Sequence, residues 1–537
     1  MIIRNKPPRT LKLDEPIRHR DSHKRPVTRR DFIAQGLMTG SATVIAPAAL
    51  GLLLNPQRAM ALDADILAQK IACGITGGSG KIPFICFDLA GGGNIAGSNV
   101  LVGGPGGQQD FLTTGAYGKM GLPASMVPNA GTTANNIEAR LGLLFHGDSA
   151  HVRGILERTS PTTQAFTNGV VIPALSNNDT NTNPHNPMYG IAKIGAKGEL
   201  LTLIGSQASV SGGNSMAPLS MVDPTLTPTV VTQASNVTGL VDTGVLGKLF
   251  SNPADAVSVL ESMSRISGQK FGAVSTQLAT DAAVKSAANC NYVKSAYLAE
   301  NFSNPAALNP DLDPQIVDQT STRGTGIFSQ AEYQGDSEFQ KTAAIMKMVV
   351  NGYAGAGTIS MGGYDYHGQG RATGELRDLR AGRCIGACLE YAARMGKPLM
   401  VYVFSDGGIS AGGQVDTTVD GRNKFMWTSD NESVASTYFL VYNPAGRPTL
   451  LDGAGGLPAA RHQQIGAMTP DGSVDAASSP AASNVLLLVQ TVLLNYMALH
   501  GQQASFPQVF PDQTLGTGAA LDALTAFAPI VNGKIGG

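Results

Sequence analysis

The sequence predicts an α/β protein with a mostly parallel sheet flanked by helices. Three observations carry that prediction. The short apolar or β-branched runs Ile82–Phe87, Thr358–Met361 and Leu399–Phe404 run into the acids Asp88, Asp365 and Asp406. A helix-like run from Glu338 to Asn351 precedes the second strand, and a long amphipathic helix separates it from the third. Strand, acid-bearing turn, helix, strand is the parallel α/β unit, and its chemistry sits just past the carboxyl ends of the strands.

The N-terminal segment stands apart from the fold. Thr28-Arg29-Arg30-Asp31-Phe32-Ile33, a small-residue apolar stretch from Ala34 to Leu54, and Ala59-Met60-Ala61 together read as a twin-arginine export signal cleaved after Ala61. An uncleaved membrane anchor is the alternative reading. Eleven of the 38 Lys/Arg and four of the 39 Asp/Glu lie in residues 1–61, which leaves 27 and 35 and a net charge of −8 for the rest. No basic surface remains to argue for nucleic acid. With 42% hydrophobic and 14% charged residues and 65 glycines, the chain suits an exported, loop-rich globular protein. No further apolar run approaches a membrane span.

Taken in order, residues 62–205 form the first part of the core. The strand Ile82–Asp88 runs into Gly91-Gly92-Gly93-Asn94, and a glycine- and turn-rich stretch follows to Ala134. Asn135 to Phe145 reads as a helix. Val170–Pro173 and Leu200–Ile204 read as strands, the first opening into the polar loop Ser176–His185. Residues 206–330 read as an insertion or cap with helices over Ala254–Ile266 and Asp281–Asn301. Residues 331–537 complete the core, with a strand at Thr437–Tyr442 and a strongly apolar helix at Asn484–Leu499. Five cysteines, an odd number, leave at least one thiol free or paired between molecules. Cys384 and Cys388 share an apolar helix face with Leu389 and Ala392, so they read as core residues rather than metal ligands.

The stretch Gly362-Gly363-Tyr364-Asp365-Tyr366-His367-Gly368-Gln369 is the centre of the candidate site. Its glycine-framed turn allows close approach to a ligand. Asp88, Asp365 and Asp406 at one sheet edge would repel one another, and a bound cation relieves that repulsion. His367 adds an imidazole, and carboxylate with imidazole suits Zn²⁺, Mn²⁺ or a similar divalent ion. His185 and His462 are loop histidines, where function concentrates; His462 joins the metal-ligand candidates, and His146, His151 and His500 read as structural. Gly91–Gly97 follows a strand but does not fit the dinucleotide-binding spacing.

These blocks resemble a family of twin-arginine-exported bacterial proteins, the domain-of-unknown-function fifteen-oh-one family, which is related to alkaline phosphatases and sulfatases. The resemblance rests on Asp88–Asn94, on Gly362–Gln369, on Val403-Phe404-Ser405-Asp406-Gly407-Gly408, and on the helix around Lys341–Met346. It implies an alkaline phosphatase-like core with metal ligands at Asp88, Asp365, His367 and Asp406. Thr182-Asn183-Pro184-His185 resembles the segment where the superfamily keeps its nucleophile, which makes Thr182 the candidate nucleophile beside His185. Two imidazoles of the family pattern are missing: Val419–Asn423 lacks the late Asp-His pair, and Gly407 follows Asp406.

The expected function is metal-dependent hydrolysis of phosphate or sulfate esters, using a divalent ion (Zn²⁺, Mn²⁺, Mg²⁺ or Ca²⁺) in the periplasm or an equivalent exported location. The alternative is an exported binding or assembly protein that keeps the phosphatase-like fold without turnover. The expected partners are the twin-arginine export machinery and a small-molecule ester or cell-envelope partner. Replacing both Arg29 and Arg30 by Lys should leave the precursor inside the cell. Cell fractionation showing normal export of that double variant would remove the localisation argument.

Overall fold

The computed structural model describes residues 62–73, 78–128, 136–176, 183–241, 253–273, 275, 281–302, 305–319, 324–368 and 370–536. The twin-arginine segment and its cleavage site, Thr182 and Gln369 lie outside the described residues.

Seven strands make the central sheet: β1 (Phe84–Asp88), β4 (Thr167–Pro173), β5 (Leu201–Gly205), β6 (Thr229–Val230), β7 (Ala354–Ser360), β8 (Leu399–Phe404) and β11 (Ser436–Tyr442). Their order is β4-β11-β8-β1-β7-β5-β6. β11 runs antiparallel to both neighbours and the other pairings are parallel. This is the predicted fold class, and it is consistent with an alkaline phosphatase-like core. Two small pairs lie outside it, β2 (Ile137–Glu138) with β3 (Phe145–His146), and the hairpin β9 (Ile409–Val415) with β10 (Phe425–Asp430).

The helices used below are α1 (Ala64–Ala72), α2 (Ala150–Arg158), α3 (Pro253–Ala273), α4 (Asp281–Asn301), α5 (Ser337–Val350), α6 (Arg371–Arg394) and α7 (Val485–Leu499). Side chains alternate across a strand, so β1 serves two cores. Ile85 and Phe87 join α2, α5 and α6 on one face, while Phe84 and Cys86 join α7 and the C-terminal segments on the other. Helix α7 is apolar nearly all round, as a helix sealed on most sides must be. Leu488, Val489, Val492 and Leu493 are fully buried, each contributing roughly 1.5–3 kcal/mol of transfer free energy. Asn484 caps it by accepting the Leu487 N–H at 3.1 Å. Helices α2 and α6 touch backbone to backbone: a Cβ on Gly382 would lie 2.2 Å from the His151 carbonyl oxygen, and one on Gly154 2.3 Å from that of Leu379. Cys384 and Cys388 are buried in α6 as core residues.

Three sequence expectations change. Residues 136–145 are not helical: Asn136 and Gly142 adopt positive φ (34° and 79°), which breaks a helix, and β2 and β3 stand there instead. The insertion starts later than residue 206. β6 extends the main sheet, and the loop Ser211–Ser215 is packed against β1. Helix α1 belongs with the cap rather than the core. Leu62 and Ile66 pack with Val257, Leu260 and Val293 in a separate small core, Arg265 pairs with Asp63 and Asp65, and Cys73 is disulfide-bonded to Cys290. Among the described residues, no helix is long and apolar enough to cross a membrane.

His500, at the end of α7, fits the structural role assigned to it. Its Nδ1 donates to the Tyr496 carbonyl at 2.7 Å, and its Nε2 accepts the Ile82 N–H at 3.0 Å, so the neutral tautomer is the one used. Burial holds its pKa down to about 4, from 6.5 when exposed. The unfolded chain therefore takes the proton first. This contribution to stability is complete above about pH 6.5 and is lost as the pH falls toward about 4. His500→Gln should lower stability at pH 7.5 and flatten its fall between pH 6.5 and 4.5 by up to one proton, as read by chemical denaturation. Equal slopes in wild type and variant would overturn this assignment.

Candidate metal centre

Strand β1 lies between β7 and β8, and the three stop level: Asp88 is in register with Ser360 on one side and Phe404 on the other. The chains leaving this edge are stitched together. Met361 N donates to Asp88 O at 3.0 Å, Leu89 N to Phe404 O at 2.9 Å, and Asp365 N to Gly92 O at 3.0 Å. Ser405 Oγ accepts the Gly93 N–H and donates to Leu89 O, both at 2.9 Å. Gly91 has φ 113°, and a Cβ there would lie 3.0 Å from the Tyr364 carbonyl oxygen and 3.1 Å from Asp365 Cβ. Only glycine permits this approach of the first turn to the second.

Asp365 itself adopts φ 79°, uncommon for a residue with a side chain. Tyr364 and Tyr366 on either side are buried, while the side chains of Asp365 and His367 are 49% and 35% exposed. His367 Nδ1 meets Asp365 Oδ1 in a short contact and Asp430 Oδ1 at 3.0 Å. Asp430 closes β10, paired with Ile409, and its side chain is 42% exposed. Ligand atoms of Asp365, His367 and Asp430 all lie within 4.8 Å of one another, and among the described residues no other three His, Cys, Asp or Glu side chains converge in this way. Without an ion, the imidazole is held between two carboxylates. With one, two carboxylates and an Nδ1 lone pair form a mixed donor set of the kind that suits Zn²⁺ or Mn²⁺.

The other expected ligands lie outside this group. Asp88 is fully buried and turned to the Ser211–Ser215 loop: Oδ2 accepts the N–H of Asn214 (2.7 Å) and of Ser215 (2.8 Å), and Oδ1 accepts Ser215 Oγ (2.8 Å). Burial pushes its carboxyl up to about 6; the Ser215 hydrogen bonds oppose that shift and the neighbouring Asp406 adds to it. Asp406 is also buried. Its Oδ1 accepts the Gly91 N–H at 2.6 Å, and its carbonyl accepts Ser176 Oγ (2.7 Å) and Asn183 Nδ2 (3.0 Å). Both acids therefore brace the turns of the sheet edge. His462 is buried in the short helix Ala459–Gln463, with its ring nitrogens on the carbonyls of Thr525 (2.6 Å) and Ala454 (3.1 Å); this occupies the atoms that would bind an ion.

His185 is buried, stacked on Phe404 with ring centroids 5.7 Å apart, and its Nε2 lies 2.9 Å from Ser176 Oγ. Ser176 donates to Asp406, so the imidazole Nε2–H donates to Ser176. Burial takes the His185 pKa down to about 3. The pair fixes the Asp406 turn and is closed to solvent. Asp430 is the residue that sequence reading missed. Phe425–Asp430 carries the same signal as the other three segments, a short apolar or β-branched run that closes on an acid. No family model, curated protein or solved structure matches this chain.

The seating of Asp88 predicts the effect of crowding it. A Cβ on Gly213 would fall 2.4 Å from Asp88 Oδ2 and 2.8 Å from Thr358 Cγ2. Gly213→Ala should cost about 1–3 kcal/mol in chemical denaturation. Gly239→Ala, with nothing within 4 Å, should stay within about 0.5 kcal/mol. Equal stabilities for the two variants would show that the loop is not held against Asp88.

Proposed function

We propose that this protein is an exported hydrolase of phosphate or sulfate esters that depends on one divalent cation held by Asp365, His367 and Asp430. The convergence of these three side chains at the carboxyl edge of a mostly parallel sheet carries the reading. Chemistry gathers at that edge in open α/β sheets. Three protein ligands on an exposed rim leave coordination positions for water and substrate, as catalytic rather than closed structural sites do. A divalent ion bound there would supply Lewis acidity toward an ester oxygen. The protein's own part is to gather two carboxylates whose charge such an ion balances, and to hold their turns rigid through Gly91, Gly92 and Asp406. The resemblance to the twin-arginine-exported, phosphatase-related family supports the same reading, and the Cys73–Cys290 disulfide supports an oxidising compartment.

A second reading is an exported binding or assembly protein with the same cation site and no turnover. One observation favours it: Asp88, Asp406, Ser176 and His185 are buried and committed to internal hydrogen bonds, which points to a single-ion centre and not to a two-metal one.

Titration of the purified exported protein with Zn²⁺ and Mn²⁺ should give one equivalent bound. Asp365→Asn, His367→Ala and Asp430→Asn should each weaken binding at least tenfold, while His462→Ala should not. Aryl phosphate and aryl sulfate hydrolysis that is lost with chelator and in Asp430→Asn would establish the enzyme. Stoichiometric cation binding without hydrolysis of either ester would select the second reading, and no binding at all would overturn both.

A further inference from the structure

Tyr366 lies between the two ligands of the turn and points the other way. Its ring is buried where the Tyr364 side chain, strand β10 and helix α6 come together; Arg371 of α6 also stacks on Trp427, 4.6 Å from the ring centroid. The Tyr366 ring contacts Trp427 of β10, three residues before Asp430, with centroids 6.5 Å apart, and it contacts Tyr364 at 5.7 Å. Below it is the N-terminal part of α6, where Gly374 leaves the space: a Cβ there would be 2.6 Å from Tyr366 Cε2. The hydroxyl is fixed from both sides. It donates to the Asp378 carboxylate, whose two oxygens are each 3.0 Å away, and accepts the Asn94 N–H at 2.9 Å. Asp378 is itself held by Asn99 Nδ2 at 2.8 Å, and Asn99 Oδ1 accepts Ser149 Oγ (2.9 Å) and the His151 N–H (3.1 Å) at the start of α2. Buried networks of this kind are rigid when fully satisfied.

One side chain thus touches the turn after β1 through Asn94, helix α6 through Asp378 and Gly374, and strand β10 through Trp427. The three cation-binding side chains come from two of the segments it joins: Asp365 and His367 from its own turn, Asp430 from β10. We propose that Tyr366 is the positioning residue of the cation site, setting the spacing between the Asp365–His367 pair and Asp430. This rests on the reading that those three side chains hold a divalent cation. A partner that orients a metal's ligands typically accounts for about tenfold or more in affinity.

The test is Mn²⁺ affinity, with the visible absorption of bound Co²⁺ as a geometric readout, on folded full-length exported protein. Tyr366→Phe keeps the ring and deletes the hydroxyl; it should weaken Mn²⁺ binding about tenfold and alter the Co²⁺ spectrum. Gly374→Ala pushes a methyl into the ring without removing a hydrogen bond. It should do the same, and it takes the place of Tyr366→Phe where that variant does not fold. A merely structural role would lower the melting temperature of the cation-free protein and leave Mn²⁺ affinity and the Co²⁺ spectrum unchanged, which would overturn the proposal. Absence of Mn²⁺ binding in wild type, or wild-type binding in His367→Ala, would instead overturn the cation-site reading on which it rests.

Discussion

The central constraint is the seating of β1 between two parallel partners. All five of its residues are buried, and its hydrogen bonds to β7 and β8 fix where the three chains stop. Every group at the site edge is placed from that line. The first turn must pass close to the second because Asp365 N reaches Gly92 O, and the glycines at 91 and 92 (φ 113° and 96°) make the approach sterically open. The third turn is tied to the first by the Asp406 carboxylate on Gly91 N. A parallel sheet whose faces are both covered leaves little room for register slip, so the positions of Asp365 and Asp406 follow from the apolar pattern of the strands themselves.

Four acids gather near this edge, and their environments divide them into two kinds. Asp88 and Asp406 are buried and accept hydrogen bonds from donors within the chain. An ionised carboxylate is tolerated in such a place only when its lone pairs are used, and once used they are not available to a ligand. Asp365 and Asp430 are half exposed and face the same imidazole nitrogen. They carry like charge toward one another, the condition under which a cation gains most. The distinction is between acids that stabilise the turns and acids that remain chemically accessible.

Much of this is legible in the sequence, for physical reasons that also mark where legibility ends. β1, β7 and β8 announce themselves as buried runs, and α7 as an apolar helix, because burial on both faces leaves a continuous apolar signature. β9 does not. Ile409–Val415 contains Gly412 and Gly413, is exposed over most of its length, and pairs with only one neighbour, so neither composition nor periodicity marks it. Asp430 ends the more apolar β10, but its place beside His367 depends on the pairing of β10 with β9, which the sequence does not mark. The acids at 88 and 406 end strands in the same way as Asp365, and sequence does not say which of them finds internal donors. That depends on the Ser211–Ser215 loop and on the Gly91 amide, contacts that bring together residues 126 and 127 positions apart for Asp88 and 315 apart for Asp406. His462 has the look of a loop ligand, and only tertiary structure brings the Thr525 carbonyl, 63 positions away, onto its ring.

The cap is built on different terms from the edge. Its helices α3 and α4 form their own small core with α1, closed by the Cys73–Cys290 disulfide and by Arg265 on Asp63 and Asp65. Where this unit joins the α/β core, Tyr297 meets Glu199, and Phe302 is buried in the main core against Tyr353. None of the residues that hold Asp365, His367 or Asp430 comes from the cap. The buried network from Asn99 through Asp378 to Tyr366 belongs wholly to the core and spans the turns and helices nearest the sheet. The spacing of Asp365, His367 and Asp430 is thus set by buried, hydrogen-bonded parts of the core, which satisfied polar networks make rigid.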